Sequence, residues 1–85
     1  MTTFTYTIKD KIGIHARPAG LLAKKAKEFK SEVTIAKNGK AVSVTKLMAV
    51  MGMLIKCGDT VEIAINGVDE AAAAKEIKKF FEENL

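Results

Sequence analysis

The chain's only histidine, His15, precedes Arg17 by two residues and the only proline, Pro18, by three, inside the stretch GIHARPAG. A neutral imidazole is a nucleophile, and a guanidinium binds oxyanions through paired N–H donors. Proline is tolerated in the first turn of a helix, where its missing N–H leaves no bond unmade. If a helix begins at His15, the amides of Ala16 and Arg17 have no carbonyl partner and, with the helix dipole, favour negative charge. An anionic group attached to one ring nitrogen would be received by those amides and by Arg17. Such a site suits a transiently phosphorylated histidine. The same residues also fit a histidine that only starts a helix, beside an ordinary surface charge.

The elements that would position them are legible in the flanking pattern. Phe4, Tyr6 and Ile8 alternate with Thr3, Thr5 and Thr7, the two-residue period of a strand with one buried face. From Ala16 to about Phe29 the period lengthens, with Ala19, Leu22, Ala26 and Phe29 at spacings of three and four, which predicts a helix starting at the histidine. Val33 and Ile35, then Val42 and Val44, alternate on either side of Asn38 and Gly39, a two-residue hairpin signal. Leu47 to Leu54 reads as a short helix with Val50 and Leu54 on its core side. Val61, Ile63 and Ile65 form a fourth strand, and Asp69 is the expected N-cap of a last helix that turns Ala73, Ile77 and Phe80 or Phe81 inward. The order βαββαβα predicts an α+β fold, an open-faced β-sandwich with a four-stranded, mainly antiparallel sheet and three helices on one face. Residues 1–85 make a single domain with one small core.

Composition narrows the function. With 48% hydrophobic residues the chain can build its core without disulfides or a metal. Cys57 is the only cysteine, and one Cys with one His cannot supply a four-ligand zinc site, so no metal and no cofactor are expected. The longest apolar stretch, Leu47 to Ile55, is far too short to span a bilayer, and MTTFTYTIKD lacks a basic segment followed by an apolar run. A cytoplasmic protein without membrane insertion is expected. The net charge of +4 favours an acidic partner. A small basic nucleic-acid-binding module is the alternative from another class, but nucleic acid is not the expected partner, because the four Phe and one Tyr are not interleaved with basic residues into a stacking platform.

Arg17, Gly20, Lys24 and Lys27 recur at three, four and three residues, on a stripe about 200° round the helix from the one beginning at Ala19. Every side chain on this stripe is basic. Gly20 leaves bare backbone within it, at a cost of about 1 kcal/mol relative to alanine. The stripe fits a docking surface for an acidic protein, and it also fits a solvated face. The segment KLMAVMGMLI, Lys46 to Ile55, is apolar all round after its first residue, yet a short helix on a single sheet buries only one side. Leu47, Met48 and Met51 are therefore assigned to the exposed side, as an adaptable contact patch.

Over nearly its whole length the chain resembles the HPr family, the histidine-containing phosphocarriers of the phosphoenolpyruvate-dependent sugar phosphotransferase system. GIHARPA resembles the family's phosphorylation-site motif, LMAVMGM its second-helix segment, and βαββαβα its element order. The resemblance implies that His15 accepts a phosphoryl group on Nδ1 from the phosphorylated first enzyme of the system. His15 then hands it to a sugar-specific component, the carrier being no independent enzyme. It also implies that Arg17 and the amides of Ala16 and Arg17 hold the phosphoryl oxygens. Gly20, Lys24, Lys27, Lys46, Leu47, Met48 and Met51 would dock both partners in turn, on a monomer. Three positions depart from the family pattern. Lys46 stands where many members have a regulatory serine, so that switch is not expected. Ile12 replaces a commonly small polar residue and removes a contact to the phosphoryl group, and Gly20 replaces a small side chain with backbone alone. A regulatory paralogue, acting on a transcription factor or in a nitrogen-related branch, would also keep His15 and Arg17.

Overall fold

Alternation of threonine with Phe4 and Tyr6 gives β1 (Thr2–Thr7) one wet and one apolar face, and the same period shapes β2 (Glu32–Lys37), β3 (Lys40–Ser43) and β4 (Thr60–Asn66). In the computed structural model, which describes residues 1–85, the strands pair in the order β1-β4-β2-β3. Every pair is antiparallel, so the sheet is wholly and not just mainly of that kind. Asn38 and Gly39 both take positive φ, 53° and 81°, as a two-residue hairpin between β2 and β3 requires. The three helices, α1 (Ala16–Ala26), α2 (Leu47–Gly52) and α3 (Glu70–Asn84), cover the apolar face.

Between the layers, Val33, Ile35, Val61, Ile63 and Ile65 of the sheet meet Ala19, Leu22 and Ala26 of α1, Val50 of α2, and Ala73, Ile77, Phe80 and Phe81 of α3. Phe81 is fully buried, with the rings of Phe4 and Tyr6 edge-on to it at 6.0 and 5.5 Å. Pairs of this geometry add about 0.5–1.5 kcal/mol each beyond their buried area. They fasten α3 to β1, and so to the segment that leaves β1 towards His15. No helix is long and apolar enough to cross a membrane.

The end of α1 and the part played by the Asp69 side chain differ from the sequence reading. α1 stops at Ala26, because the amides of Glu28 and Phe29 bond three residues back, to Lys25 and Ala26, and tighten the last turn. Phe29 still packs against the core. Asp69 holds the N-cap position of α3, but its side chain does not cap the helix. Instead its carboxylate accepts from the Lys30 amide at 2.8 Å and from the Ser31 hydroxyl, tying the end of α1 to the start of α3.

Three carboxylates sit below their ordinary range for similar reasons. The Ser31 hydroxyl and Lys30 amide hold Asp69 down, and the Lys37 ammonium and Lys56 amide hold Asp59 down. The Thr2 hydroxyl and the Met1 ammonium do the same for Glu70. A folded-state value below the unfolded one contributes stability that is present above about pH 4 and lost as pH falls through the folded value. The melting temperature is therefore expected to hold from neutral pH to about 4 and to decline below it. Asp69→Asn should melt lower than wild type at pH 7 and lose less on acidification, which a series of thermal melts from pH 7 to 2 would check.

Candidate functional site

The segment between β1 and α1 is held largely by main-chain bonds. The Ile8 amide donates to the Asp59 carbonyl at 2.9 Å, and the Ile8 carbonyl accepts from the Gly58 amide at 2.8 Å. The amides of Lys9 and Asp10 both donate to the Leu85 backbone oxygen, at 2.6 and 2.8 Å, and that of Ile14 donates to the Ile55 carbonyl at 3.0 Å. Ile8 and Ile14 are buried and fix the segment from the core side. Gly13 makes the crossing possible. Its φ is +82°, and a Cβ there would lie 2.4 Å from the Ile55 oxygen and 2.7 Å from the Lys56 Cα.

His15 emerges as the N-cap of α1, with extended backbone (φ −118°, ψ −172°) and a half-buried side chain that makes no capping hydrogen bond. Its carbonyl accepts the first helical bond, from Ala19 at 3.0 Å. Pro18 has no N–H to offer, and the amides of Ala16 and Arg17 donate to no protein acceptor. The first turn holds no acidic residue, and the exposed Arg17 forms no ion pair. His15 and Arg17 line a cleft of about 330 Å³ with Asp10, Pro18, Leu21, Glu83 and Asn84. The structure thus brings together the histidine, the arginine and the two free amides expected from the sequence. It also adds Asp10 and Glu83, two carboxylates on the wall of the same cleft. Nothing in the local pattern points to Glu83 or Asn84, which reach the cleft from the far end of α3.

The expected docking residues are placed less uniformly. Lys24 and Lys27 are exposed and unpaired, whereas Lys25, off the stripe, pairs with Glu28 and Glu76. A Cβ on Gly20 would meet nothing within 4 Å, so packing within the chain does not demand glycine there. Lys46 is exposed at the N-cap of α2 and makes no side-chain cap. Leu47 and Met48 are exposed, Met48 to 78%. Met51 is half-buried, packed against the core, and offers only part of its side chain.

Leu54 corrects the sequence reading. It is 68% exposed, not on the core side, because α2 ends at Gly52 and the chain turns before Ile55 enters the core. Leu54 makes that turn with φ +54°, in the left-handed region, which costs a non-glycine residue about 1–2 kcal/mol. A clamp holds the turn. Lys37 Nζ donates to the Leu54 carbonyl at 3.2 Å and pairs with Asp59 at 2.7 Å, while the Asp59 carboxylate accepts from the Lys56 amide at 2.8 Å.

A small open-faced sandwich that presents one unbonded histidine at the positive end of a helix has the architecture of a phosphohistidine carrier. Residues 2–83 match the family model described as the PTS HPr component phosphorylation site. The phosphocarrier protein HPr of Mycoplasma capricolum is 43% identical over 79 residues, spanning 93% of this chain and 89% of that protein. The solved histidine-containing phosphocarrier protein of Mycoplasma superposes with a TM-score of 0.92 at 40% identity, over 96% of this chain and 93% of that one. HPr from Thermoanaerobacter tengcongensis does so with a TM-score of 0.92 at 34% identity, over 98% of this chain and 93% of that one. The chain belongs to the HPr family and is a phosphocarrier of the phosphotransferase system.

Proposed function

We propose that His15 Nδ1 carries the phosphoryl group, taking it from the phosphorylated first enzyme of the system and passing it to a sugar-specific component. The observation that supports this reading is the His15 side chain, free of hydrogen bonds at the start of α1, beside two amides without acceptors and the unpaired Arg17. In the transfer the Nδ1 lone pair attacks phosphorus in line, the bond from phosphorus to the donor breaks, and its electron pair leaves with the donor. Nε2 keeps the ring proton, so no base is consumed. Arg17 and the amides of Ala16 and Arg17 receive the phosphoryl oxygens. The basic stripe, Gly20, Lys46, Leu47, Met48 and Met51 dock each partner in turn, with the carrier acting as a cytoplasmic monomer whose one face must be free for both.

Incubation with phosphoenolpyruvate and the first enzyme, followed by intact mass spectrometry, should add a single phosphate that is acid-labile and alkali-stable, as a phosphoramidate is. An alkali-labile phosphate would place the group on a hydroxyl and overturn the reading. Exposed unpaired cations act mainly on encounter, and their reach is about 8 Å at physiological ionic strength. Lys24→Glu with Lys27→Glu should therefore raise the KM of the first enzyme for this carrier, most at low salt, in a steady-state phosphotransfer assay.

A further inference from the structure

Two large apolar side chains beside the histidine loop have no partner in the fold. Ile12 and Leu54 are each 68% exposed. They flank the crossing of Gly13 over Ile55 and Lys56, and the Ile55 carbonyl holds the amide of Ile14, the residue before His15. Leu54 is also strained. A leucine that contributes nothing to the core, yet sits in the left-handed region, is unfavourable for the isolated domain, and such outliers persist where the surroundings over-determine them. The surroundings here are the Lys37–Asp59 clamp, which grips the Leu54 carbonyl and leaves its side chain projecting.

Resting on the phosphocarrier reading of His15, we infer that Ile12 and Leu54 form an apolar contact that seats against the phosphoryl-donor protein and sets the carrier's affinity for it. Direct transfer requires the donor's phosphorus within about 3–3.5 Å of the ring nitrogen, so the donor's surface must close over the flank of His15. Ile12 and Leu54 lie on that flank, one residue from Gly13 and Ile55 at the crossing beside the His15 loop. The complementary donor surface is apolar at this point and acidic opposite the Lys24 and Lys27 stripe.

The test measures thermal stability and donor KM together, using the full chain, phosphoenolpyruvate and the first enzyme. Leu54→Asn places a residue that tolerates the left-handed region at this position and removes the apolar surface. It should raise the melting temperature by a few degrees while raising KM roughly fivefold to thirtyfold. Leu54→Met should restore most of the affinity, and Ile12→Ser should raise KM without the gain in stability. Val68→Asn removes a 90%-exposed apolar residue from the loop after β4, at the other end of that strand, and should leave KM unchanged. An unchanged KM in Leu54→Asn, or a lowered melting temperature, overturns the inference and leaves the carrier reading standing. Failure of the wild-type chain to accept phosphate overturns both.

Discussion

Replacing His15 with alanine should abolish phosphorylation by phosphoenolpyruvate and the first enzyme, while shifting stability by no more than about 0.5 kcal/mol. The loss is complete because the chain offers no second imidazole and transfer needs a ring nitrogen in line with phosphorus. Stability is spared for a separate reason. N-caps stabilise helices through a side-chain oxygen that bonds a first-turn amide, and His15 makes no such bond, so alanine removes no capping interaction. Intact mass after incubation and a thermal melt read the two effects on one sample. A phosphorylated His15→Ala protein would exclude His15 as the acceptor.

Gly13→Ala should have the opposite profile, damaging the fold first and transfer through it. A left-handed backbone costs alanine about 1–2 kcal/mol, and crowding in a tightly packed site about 1–3 kcal/mol more. The new methyl would meet the Ile55 oxygen at 2.4 Å, which is main chain and cannot swing aside. A loss of about 2–5 kcal/mol follows, which in a domain of this size lowers the melting temperature by roughly 10 °C or more. To relieve the clash the loop must lift, breaking the 3.0 Å bond from Ile14 to Ile55 that sets the height of His15. Transfer should slow even at temperatures where the variant remains folded. Wild-type melting and transfer in Gly13→Ala would show that the crossing is not needed.

What the sequence discloses follows from how local each determinant is. The strands, the hairpin at Asn38 and Gly39, and the start of α1 at His15 were readable because side-chain period and turn chemistry act over a few residues. The grouping of His15, Arg17 and the first-turn amides was readable for the same reason, since one helix terminus carries all of it. Leu54 was misplaced because a helical period extrapolated past Gly52 cannot register a single left-handed residue, which is held by Lys37 from another strand. Asp69 looks like a cap in sequence, yet Lys30 and Ser31, about forty positions earlier, outcompete its own helix for the carboxylate. Asp10 and Glu83 meet in one cleft only because α3 returns to the end of the sheet where β1 finishes.

The strand order has a kinetic side. β1 and β4 are first and last in the chain but neighbours in the sheet, with Thr7 opposite Thr60. The His15 loop rests on Ile55, Gly58 and Asp59, residues that lead into β4, so its closure belongs to the longest-range strand pairing in the sheet. Loop-closure entropy must be overcome before such contacts contribute, and topologies dominated by them fold in milliseconds to seconds, not microseconds. A growing chain has its histidine early, with nothing to hold it in place. The loop that carries His15 is complete only when the final strand slots between β1 and β2, so on the proposed reading of His15 a chain able to take up phosphate is one whose sheet has already closed.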